Sequence, residues 1–192
     1  MSNAIHKMRK KVKKYLDQDR YEHTLGVMYL CASLAMRYNE DINEAMIAGL
    51  LHDCAKCIPS KKKIRLCEKY HLSVSESERQ NPSLLHAKLG AYLAATKYHV
   101  RDQRILDAII CHTTGKPKMT MLDKILYIAD YIEPGRKEAP NLPEVRKLAF
   151  QDIDDCLYLI LKDSLAYLHT RNLAIDPMTE KTYLYYKNYL NK

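Results

Sequence analysis

The chain has 192 residues, of which 47% are hydrophobic and 28% are charged. This length and composition allow a substantial buried core, which excludes disorder over most of the chain and leaves little room for a second domain. The formal net charge of +8 favours anionic partners such as nucleotides, nucleic acid or an anionic membrane surface. Part of the excess lies in residues 10–14 (KKVKK) and 61–65 (KKKIR), each of which we interpret as a solvated helix face.

Neither export nor membrane insertion is indicated. No apolar run approaches the ~20 residues that a membrane-spanning helix needs. The basic N-terminal segment has no apolar stretch before a small-residue cleavage site, so it does not resemble a secretory signal. We therefore expect the six cysteines to be reduced and the protein to be cytoplasmic.

Helical periodicity runs through nearly the whole chain, and no alternating β-branched segment of strand length occurs. Thr120 with Asp123 resembles a capping box, and Asn81 before Pro82 resembles an N-cap followed by a first-turn proline. We predict an all-α helical bundle, one domain over residues 1–192, with a motif-bearing core at about 20–149 and further helices over 150–192. In chain order, helices are predicted to begin near Ile5, Arg20, Asp41, Ser60, Pro82, Asp102, Thr120, Asn141, Asp152 and Thr179.

Four of the eight histidines share the helical register of apolar residues in their own segments. Spacings of three, four and seven residues place each of them on the inward stripe of its helix. A buried imidazole needs a hydrogen-bond partner, and one shared metal centre would satisfy all four together. These histidines are His23, His52, His86 and His112, whereas His6, His71, His99 and His169 are assigned no role.

Two carboxylates extend this pattern. Asp53 directly follows His52, and Asp130 lies beside an apolar stripe, where a buried carboxylate needs a metal or an ion pair with Lys124 or Arg136. Six ligands exceed the need of one tetrahedral ion, and mixed imidazole and carboxylate donors suit iron, manganese, cobalt or zinc. Two ions sharing Asp53 would use the whole set and could hold a phosphate ester during attack on phosphorus. We therefore expect a metal site at the centre of the bundle.

The order H…HD…H…H…D resembles that of the HD-domain phosphohydrolases, which are all-α enzymes. The segments RYEHTLGV, GLLHDCAK, NPSLLHAKLGA, DAIICHTTGKPKMTMLDKILYIADYIEPGR and LPEVRKLA resemble the YqeK family, bacterial symmetrical dinucleoside tetraphosphatases. The resemblance implies hydrolysis of diadenosine tetraphosphate and related dinucleotides to two nucleoside diphosphates at a metal centre, with iron as the expected metal. Some members are described as hydrolases of NAD metabolism. The chain departs from the family at Cys54, where an aromatic residue is more usual.

The same resemblance assigns roles to individual residues. It implies a first ion bound by His23, His52 and Asp130 together with Asp53, which bridges to a second ion bound by His86 and His112. We predict Asp53, Lys56, His86 and His112 as the catalytic residues.

Symmetric cleavage requires attack at a central phosphorus atom and stabilisation of the leaving diphosphate. Arg20 and Lys56 each lie one helical turn from a predicted ligand, and arginine can grip phosphate through two parallel hydrogen bonds. Gly115 follows His112 closely and would either present backbone amides to a phosphate or simply end a helix. The predicted substrate contacts are Arg20, Lys56, Thr113, Thr114, Gly115, Glu133 and Arg136.

Three alternatives remain open at this level. The chain could hydrolyse another nucleotide, such as a deoxynucleotide, a guanosine alarmone or an NAD-related compound. It could be a basic helical RNA-binding protein that stacks bases on some of its fifteen tyrosines, although no RNA-binding motif is present. Cys54 and Cys57 could form a redox pair or half of a zinc site, but they lack partners at useful spacing. We expect no membrane partner and no stable nucleic-acid partner, and a homodimer is possible.

Overall fold

The computed structural model describes residues 2–171 and 175–190, and all regular secondary structure within those ranges is helical. The predicted all-α fold class is therefore confirmed. In chain order the helices are α1 (Asn3–Val12), α2 (Gln18–Tyr38), α3 (Ile42–Leu51), α4 (Ser60–Lys69), α5 (Glu76–Gln80), α6 (Leu85–Lys97), α7 (Gln103–Cys111), α8 (Met121–Ile132), α9 (Leu142–Leu148), α10 (Ile153–Thr170) and α11 (Pro177–Leu190).

Side-chain caps fix most of the helix starts that the sequence predicts. Asp41, Asp102 and Asp152 each accept a backbone N–H from the first turn of α3, α7 and α10 respectively. Thr120 and Asp123 form the predicted capping box, in which each side chain accepts the backbone N–H of the other residue. These caps satisfy N–H groups that a helix cannot bond internally, and so they set where each helix begins.

The helix predicted to begin near Pro82 is present, but it starts three residues later, and the predicted N-cap at Asn81 is wrong. Asn81 is the C-cap of α5, residues 82–84 form turns, and α6 begins only at Leu85. The short α5 was not predicted because its five residues are polar and carry no apolar stripe. It is held instead by a Ser75–Glu78 capping box and by the ion pair of Glu78 with Lys88 of α6 (2.7 Å).

The helices surround one large buried cluster of apolar side chains. Helix α2 packs against α3 and α8, and α7 packs against α6, α8 and α3. Helix α10 adds to this core through α8, and α11 packs against α10. A smaller cluster of Ala55, Cys67, Leu85 and Leu89 joins α4 to α6. Among the described residues, no helix is both long and apolar enough to cross a membrane.

Candidate metal centre and substrate cleft

The six predicted ligands converge in the interior of the bundle. Each stands at a helix position that turns it inward, and two of the histidines are the C-caps of their helices. Asp53 directly follows one of these caps, where the chain leaves α3. The ligands are His23 of α2, His52 and Asp53 at the end of α3, His86 of α6, His112 at the end of α7, and Asp130 of α8.

One group of ligand atoms surrounds Asp130. Its Oδ1 lies 3.0 Å from Nε2 of His23 and 3.8 Å from Nε2 of His52. Oδ2 of Asp53 lies 3.9 Å and 3.5 Å from the same two nitrogens. The ligand atoms of His23, His52 and Asp130 all lie within 4.8 Å of one another, which is close enough to hold a single ion.

The other oxygen of Asp53 faces a second group. Its Oδ1 lies 3.2 Å from Nε2 of His86 and 3.8 Å from Nε2 of His112. These two nitrogens are 3.1 Å apart. Ligand atoms of His52, Asp53 and His112 also lie within 4.8 Å of one another. The carboxylate of Asp53 thus lies between two sets of imidazoles, with one oxygen directed to each.

Hydrogen bonds orient three of the imidazole rings in the same way. Nδ1 of His52, His86 and His112 each lies within hydrogen-bonding distance of the backbone carbonyl three residues earlier, that of Gly49, Ser83 or Ile109. Because a carbonyl can only accept, Nδ1 carries the proton and Nε2 keeps its lone pair. All three rings therefore present an unprotonated Nε2 to the centre, as metal ligation requires.

Several donor atoms in the centre have no hydrogen-bond partner among the described residues. They are Nε2 of His23, Nε2 of His52 and Oδ1 of Asp53, all of them buried. Leaving a buried polar atom unpaired costs roughly 1–3 kcal/mol. Since the unpaired atoms are nitrogen lone pairs and a carboxylate oxygen that converge, the donor set fits a transition-metal cation.

The carboxylates of the centre are ionised. Burial alone would raise the pKa of Asp130, but the imidazoles of His23 and His52 beside it outweigh burial and lower that pKa. Burial also opposes ionisation of Asp53, yet His52 and the ammonium of Lys56 hold its pKa well below the usual value. Both side chains are therefore anionic at neutral pH, which is the form that binds a cation.

Two of the histidines are held neutral. Burial, reinforced by the neighbouring imidazoles of His86 and His52, lowers the pKa of His112 to about 3. Burial also lowers the pKa of His86, although the nearby carboxylate of Asp53 opposes the shift. At His52 burial is outweighed by Asp53, and the pKa is raised. A cation bound at this point would replace the proton that His52 otherwise attracts.

A model of the HD domain matches residues 20–135, more than half of the chain. The chain belongs to the HD-domain family. It is 41% identical to the symmetrical bis(5'-nucleosyl)-tetraphosphatase of Bacillus subtilis over 90% of this chain and 91% of that protein. It is 32% identical to the protein of the same name from Staphylococcus aureus, over 95% and 94% of the two chains.

A solved structure shares the fold of this HD-domain protein. It is a crystal structure from Clostridium acetobutylicum, described as a predicted HD superfamily hydrolase involved in NAD metabolism. The two chains are 36% identical and align with a TM-score of 0.92 over 96% of this chain and 97% of the other. The family expected from the motifs is thus confirmed.

Three cationic side chains border the HD-domain centre. Nη1 of Arg20 lies 2.8 Å from Oδ2 of Asp53, and Nη2 of Arg136 lies 3.1 Å from Oδ1 of Asp130. Nζ of Lys56 lies 3.8 Å from Oδ1 of Asp53 and 3.3 Å from Nε2 of His86. The two arginines therefore contact carboxylates of the first ligand group, and the lysine contacts the second group.

A cleft of about 1290 Å³ opens beside the first group. Arg20, His23 and Thr113 line it together with residues 133–140. Tyr167 and Arg171 of the α10 region also line it. Because ligand pockets are usually about 300–1,000 Å³, this cleft has room for a ligand larger than a mononucleotide.

Thr114 and Gly115 are placed differently from Thr113, since neither lines this cleft. The N–H of Gly115 donates to the carbonyl of Cys111 (2.8 Å), which closes the end of α7. The left-handed φ of +65° at Gly115 and the contact with Thr182 leave no space for a side chain. Of the two interpretations of Gly115, the geometry favours the helix stop.

Glu133 has a function that sequence reasoning missed. The residue is only 5% exposed, and Oε1 lies 3.2 Å from Nδ1 of His23. Oε2 accepts the backbone N–H of Gly135 (2.7 Å). A Cβ at Gly26 would lie 2.8 Å from the same oxygen, so only glycine leaves room for the carboxylate there. Glu133 thus gives His23 the orienting partner that carbonyl groups provide to the other three histidines.

The two cysteines of CAKC do not face each other as a redox pair. The Cys54 thiol is buried against the carbonyl of Gly90 (3.5 Å), and burial raises its pKa to about 12. The Cys57 thiol is exposed and lies 3.2 Å from a carboxylate oxygen of Asp17. All six cysteines are free thiols. These positions favour packing over redox chemistry, since a thiol with a raised pKa is unreactive.

Proposed function

We propose that this HD-domain protein hydrolyses diadenosine tetraphosphate and related dinucleoside tetraphosphates symmetrically, giving two nucleoside diphosphates. The observation that carries the proposal is the placement of Asp53, whose two oxygens face two separate groups of ligands. This arrangement can hold two ions on either side of one carboxylate, next to a cleft lined by arginines. The relatives from Bacillus subtilis and Staphylococcus aureus carry the name of this activity.

We further propose that the centre is binuclear and that iron is its metal, with manganese, cobalt or zinc as alternatives for the same donors. His23, His52 and Asp130 would hold one ion, and His86 and His112 would hold the other. Asp53 would bind both ions. When bound, such a pair polarises phosphate oxygens and lowers the pKa of water. Metal analysis of the purified protein tests this assignment: two transition ions per chain support it, and one or none contradicts it.

The chain's own cations would neutralise the polyphosphate. Arg20 and Arg136 each use part of a guanidinium on a ligand carboxylate, and each retains further N–H groups that can donate to phosphate oxygens. Lys56 lies on the opposite side of Asp53, next to His86. A phosphate chain across the centre would thus meet positive charge on both sides of the scissile bond. Symmetric cleavage needs that distribution, because charge develops on a leaving diphosphate.

We propose that the cleft accommodates one nucleoside of the substrate. Tyr131 and Tyr167 line it, and the guanidinium of Arg171 lies 5.1 Å from the centre of the Tyr167 ring. Aromatic and guanidinium planes are the surfaces on which nucleobases stack, at about 1–3 kcal/mol per base. Thr113, which also lines the cleft and directly follows His112, would contact the phosphates on this side.

A substrate panel tests the proposal. The metal-loaded protein is incubated separately with diadenosine tetraphosphate, a deoxynucleoside triphosphate, a guanosine alarmone and NAD, and the products are separated by chromatography. We expect the fastest turnover with diadenosine tetraphosphate. Faster hydrolysis of NAD or a related nucleotide would contradict the assignment and favour the description given for the Clostridium acetobutylicum neighbour.

Several expectations about the setting of the protein stay predictions. They are a cytoplasmic location, a single domain that includes the C-terminal helices, the absence of a stable nucleic-acid partner and the possibility of a homodimer. The packing of α10 against α8 supports including the C-terminal helices in the domain. Light scattering on the purified protein measures its oligomeric state, and a nucleic-acid binding assay at physiological salt tests for the RNA-binding alternative.

A further inference from the structure

One lysine of the basic run at residues 61–65 differs from its neighbours. Lys61, Lys62 and Arg65 are exposed, whereas Lys63 is only 4% exposed. Within the described part of the chain, its ammonium makes no hydrogen bond and no ion pair. Lys63 is therefore packed against the protein and does not belong to a solvated helix face.

The packing of α4 directs Lys63 toward the second ligand group. Lys63 and Cys67 are the two buried residues of α4, one turn apart on the same face. Cys67 packs against Ala55 and Leu85, which directly precede Lys56 and His86 in the chain. The buried face of α4 therefore lies against the segments that carry Lys56 and His86.

The electrostatics of Lys63 agree with this placement. Burial lowers the pKa of its ammonium, the charge of Lys56 lowers it further, and the carboxylate of Asp53 opposes both. The ammonium groups of Lys56 and Lys63 thus both interact electrostatically with the carboxylate of Asp53. That carboxylate is already paired with Arg20. Positive charge is in excess at this point, and an anion between the two ammonium groups would relieve it.

We propose that Lys63 is a substrate-binding residue that, together with Lys56, binds a phosphate group of the dinucleotide on the His86 side of the centre. The inference rests on the proposed function and adds to it the position of the second half of the substrate. Arg20 and Arg136 hold the half that enters from the cleft, and the two lysines hold the half that leaves on the opposite side. The sequence marks Lys56 as a candidate because it lies one turn after His52, whereas only the burial of Lys63 in the structure distinguishes it from its neighbours.

The first test compares Lys63→Met with Lys62→Met, which removes an exposed charge from the same run. We expect Lys63→Met to raise the KM for diadenosine tetraphosphate by about tenfold, equivalent to ~1.4 kcal/mol of lost binding. We expect Lys62→Met to leave KM nearly unchanged and Lys63→Arg to restore most of the binding. The melting temperature of Lys63→Met should stay nearly the same, because methionine keeps most of the apolar packing of the lysine stem. Equal KM values for the two methionine variants would overturn the proposal.

A second measurement separates this inference from the proposed function. Calorimetry measures the binding of inorganic tripolyphosphate, supplied as its magnesium complex, to the metal-loaded wild type and to both variants. If the wild type does not cleave diadenosine tetraphosphate, the proposed function fails. About tenfold weaker binding by Lys63→Met alone would then still support Lys63 as a phosphate ligand. Equal binding by all three proteins would overturn it. Lys63→Gln, which keeps a polar end but no charge, replaces Lys63→Met if that variant does not fold.

Discussion

The carboxylate of Glu133 lies 3.2 Å from Nδ1 of His23, although the two residues are 110 positions apart in the chain. The contact fixes which nitrogen of His23 faces the centre, since Nδ1 donates to Glu133 and Nε2 points to Asp130. Glu133 therefore acts on the metal centre through His23 and is a positioning residue. This relationship leads to the first two predictions.

Glu133→Gln is expected to weaken metal binding by about 10- to 100-fold, the usual cost of removing the partner of a metal-binding histidine. The amide can offer either a donor or an acceptor to Nδ1, so the tautomer of His23 is no longer fixed. Metal affinity is measured by competition with a chelator, independently of turnover. Glu144→Gln, an exposed position on α9, is the control and should bind metal like the wild type.

Gly26→Ala is expected to reproduce the metal-binding defect of Glu133→Gln. Its new Cβ would lie 2.8 Å from Oε2 of Glu133 and force that carboxylate away from His23. If both substitutions act through the same contact, the double variant should lose little more metal affinity than either single variant. Without the clash, alanine would stabilise α2 by about 0.8–1.0 kcal/mol through helix propensity. A more stable Gly26→Ala protein with normal metal affinity would therefore refute the role assigned to Glu133.

The positions of the histidines were predictable, whereas the role of Glu133 was not. Periodicity places His23 and His112 on inward faces, and burial of an inward face follows from local sequence alone. Glu133 lies in a turn segment, EPGR, whose polar composition is typical of exposed loops, and its partner is remote in sequence. It was therefore predicted to contact substrate, and only the fold shows the bond to His23.

The burial of Lys63 and the presence of α5 were also not predictable from the local sequence. Three consecutive lysines are typical of a solvated face, and nothing in that run indicates that its third member is buried by packing against α6. The five residues of α5 carry too little apolar pattern to predict a helix, and Pro82 misplaced the start of the next one. Capping residues with strong local chemistry, such as Thr120, were predicted correctly because their hydrogen bonds are local.

Asp53→Ala is expected to remove metal from the centre and abolish turnover while the helical fold survives with reduced stability. Each oxygen of Asp53 faces one ligand group, so neither group keeps its full set of donors. Arg20 and Lys56 also lose their shared carboxylate, which explains the loss of stability. Circular dichroism and metal analysis are compared with those of Asp155→Ala, an exposed position on α10. Full activity in a folded, metal-free Asp53→Ala protein would contradict the assignment.

The metal-free protein is expected to lose stability as the pH falls below about 6.5. The folded-state pKa of His112 is lowered to about 3 by burial, whereas its pKa in the unfolded chain is about 6.5. Between these two values the unfolded chain binds the extra proton, so unfolding becomes easier as the pH falls. The contribution of His112 approaches 1.4 kcal/mol per pH unit in the middle of this window.

Urea unfolding of the metal-free wild type and of His112→Asn, at several pH values from 7.5 to about 5, isolates this contribution. The slope of stability against pH should be smaller in the variant. His52, whose pKa is raised, acts in the opposite direction above pH 6.5, so the two slopes are compared below that pH. Parallel slopes in the two proteins would show that His112 titrates normally in the folded state.

Hydrolysis of diadenosine tetraphosphate in ¹⁸O-labelled water by the metal-loaded protein tests the central claim most directly. A two-ion centre divided by Asp53 and flanked by cations on both sides predicts attack at a central phosphorus atom. The expected result is ADP as the sole nucleotide product, with one ¹⁸O on the terminal phosphate of one of the two molecules formed per turnover. Formation of AMP and ATP would contradict the account.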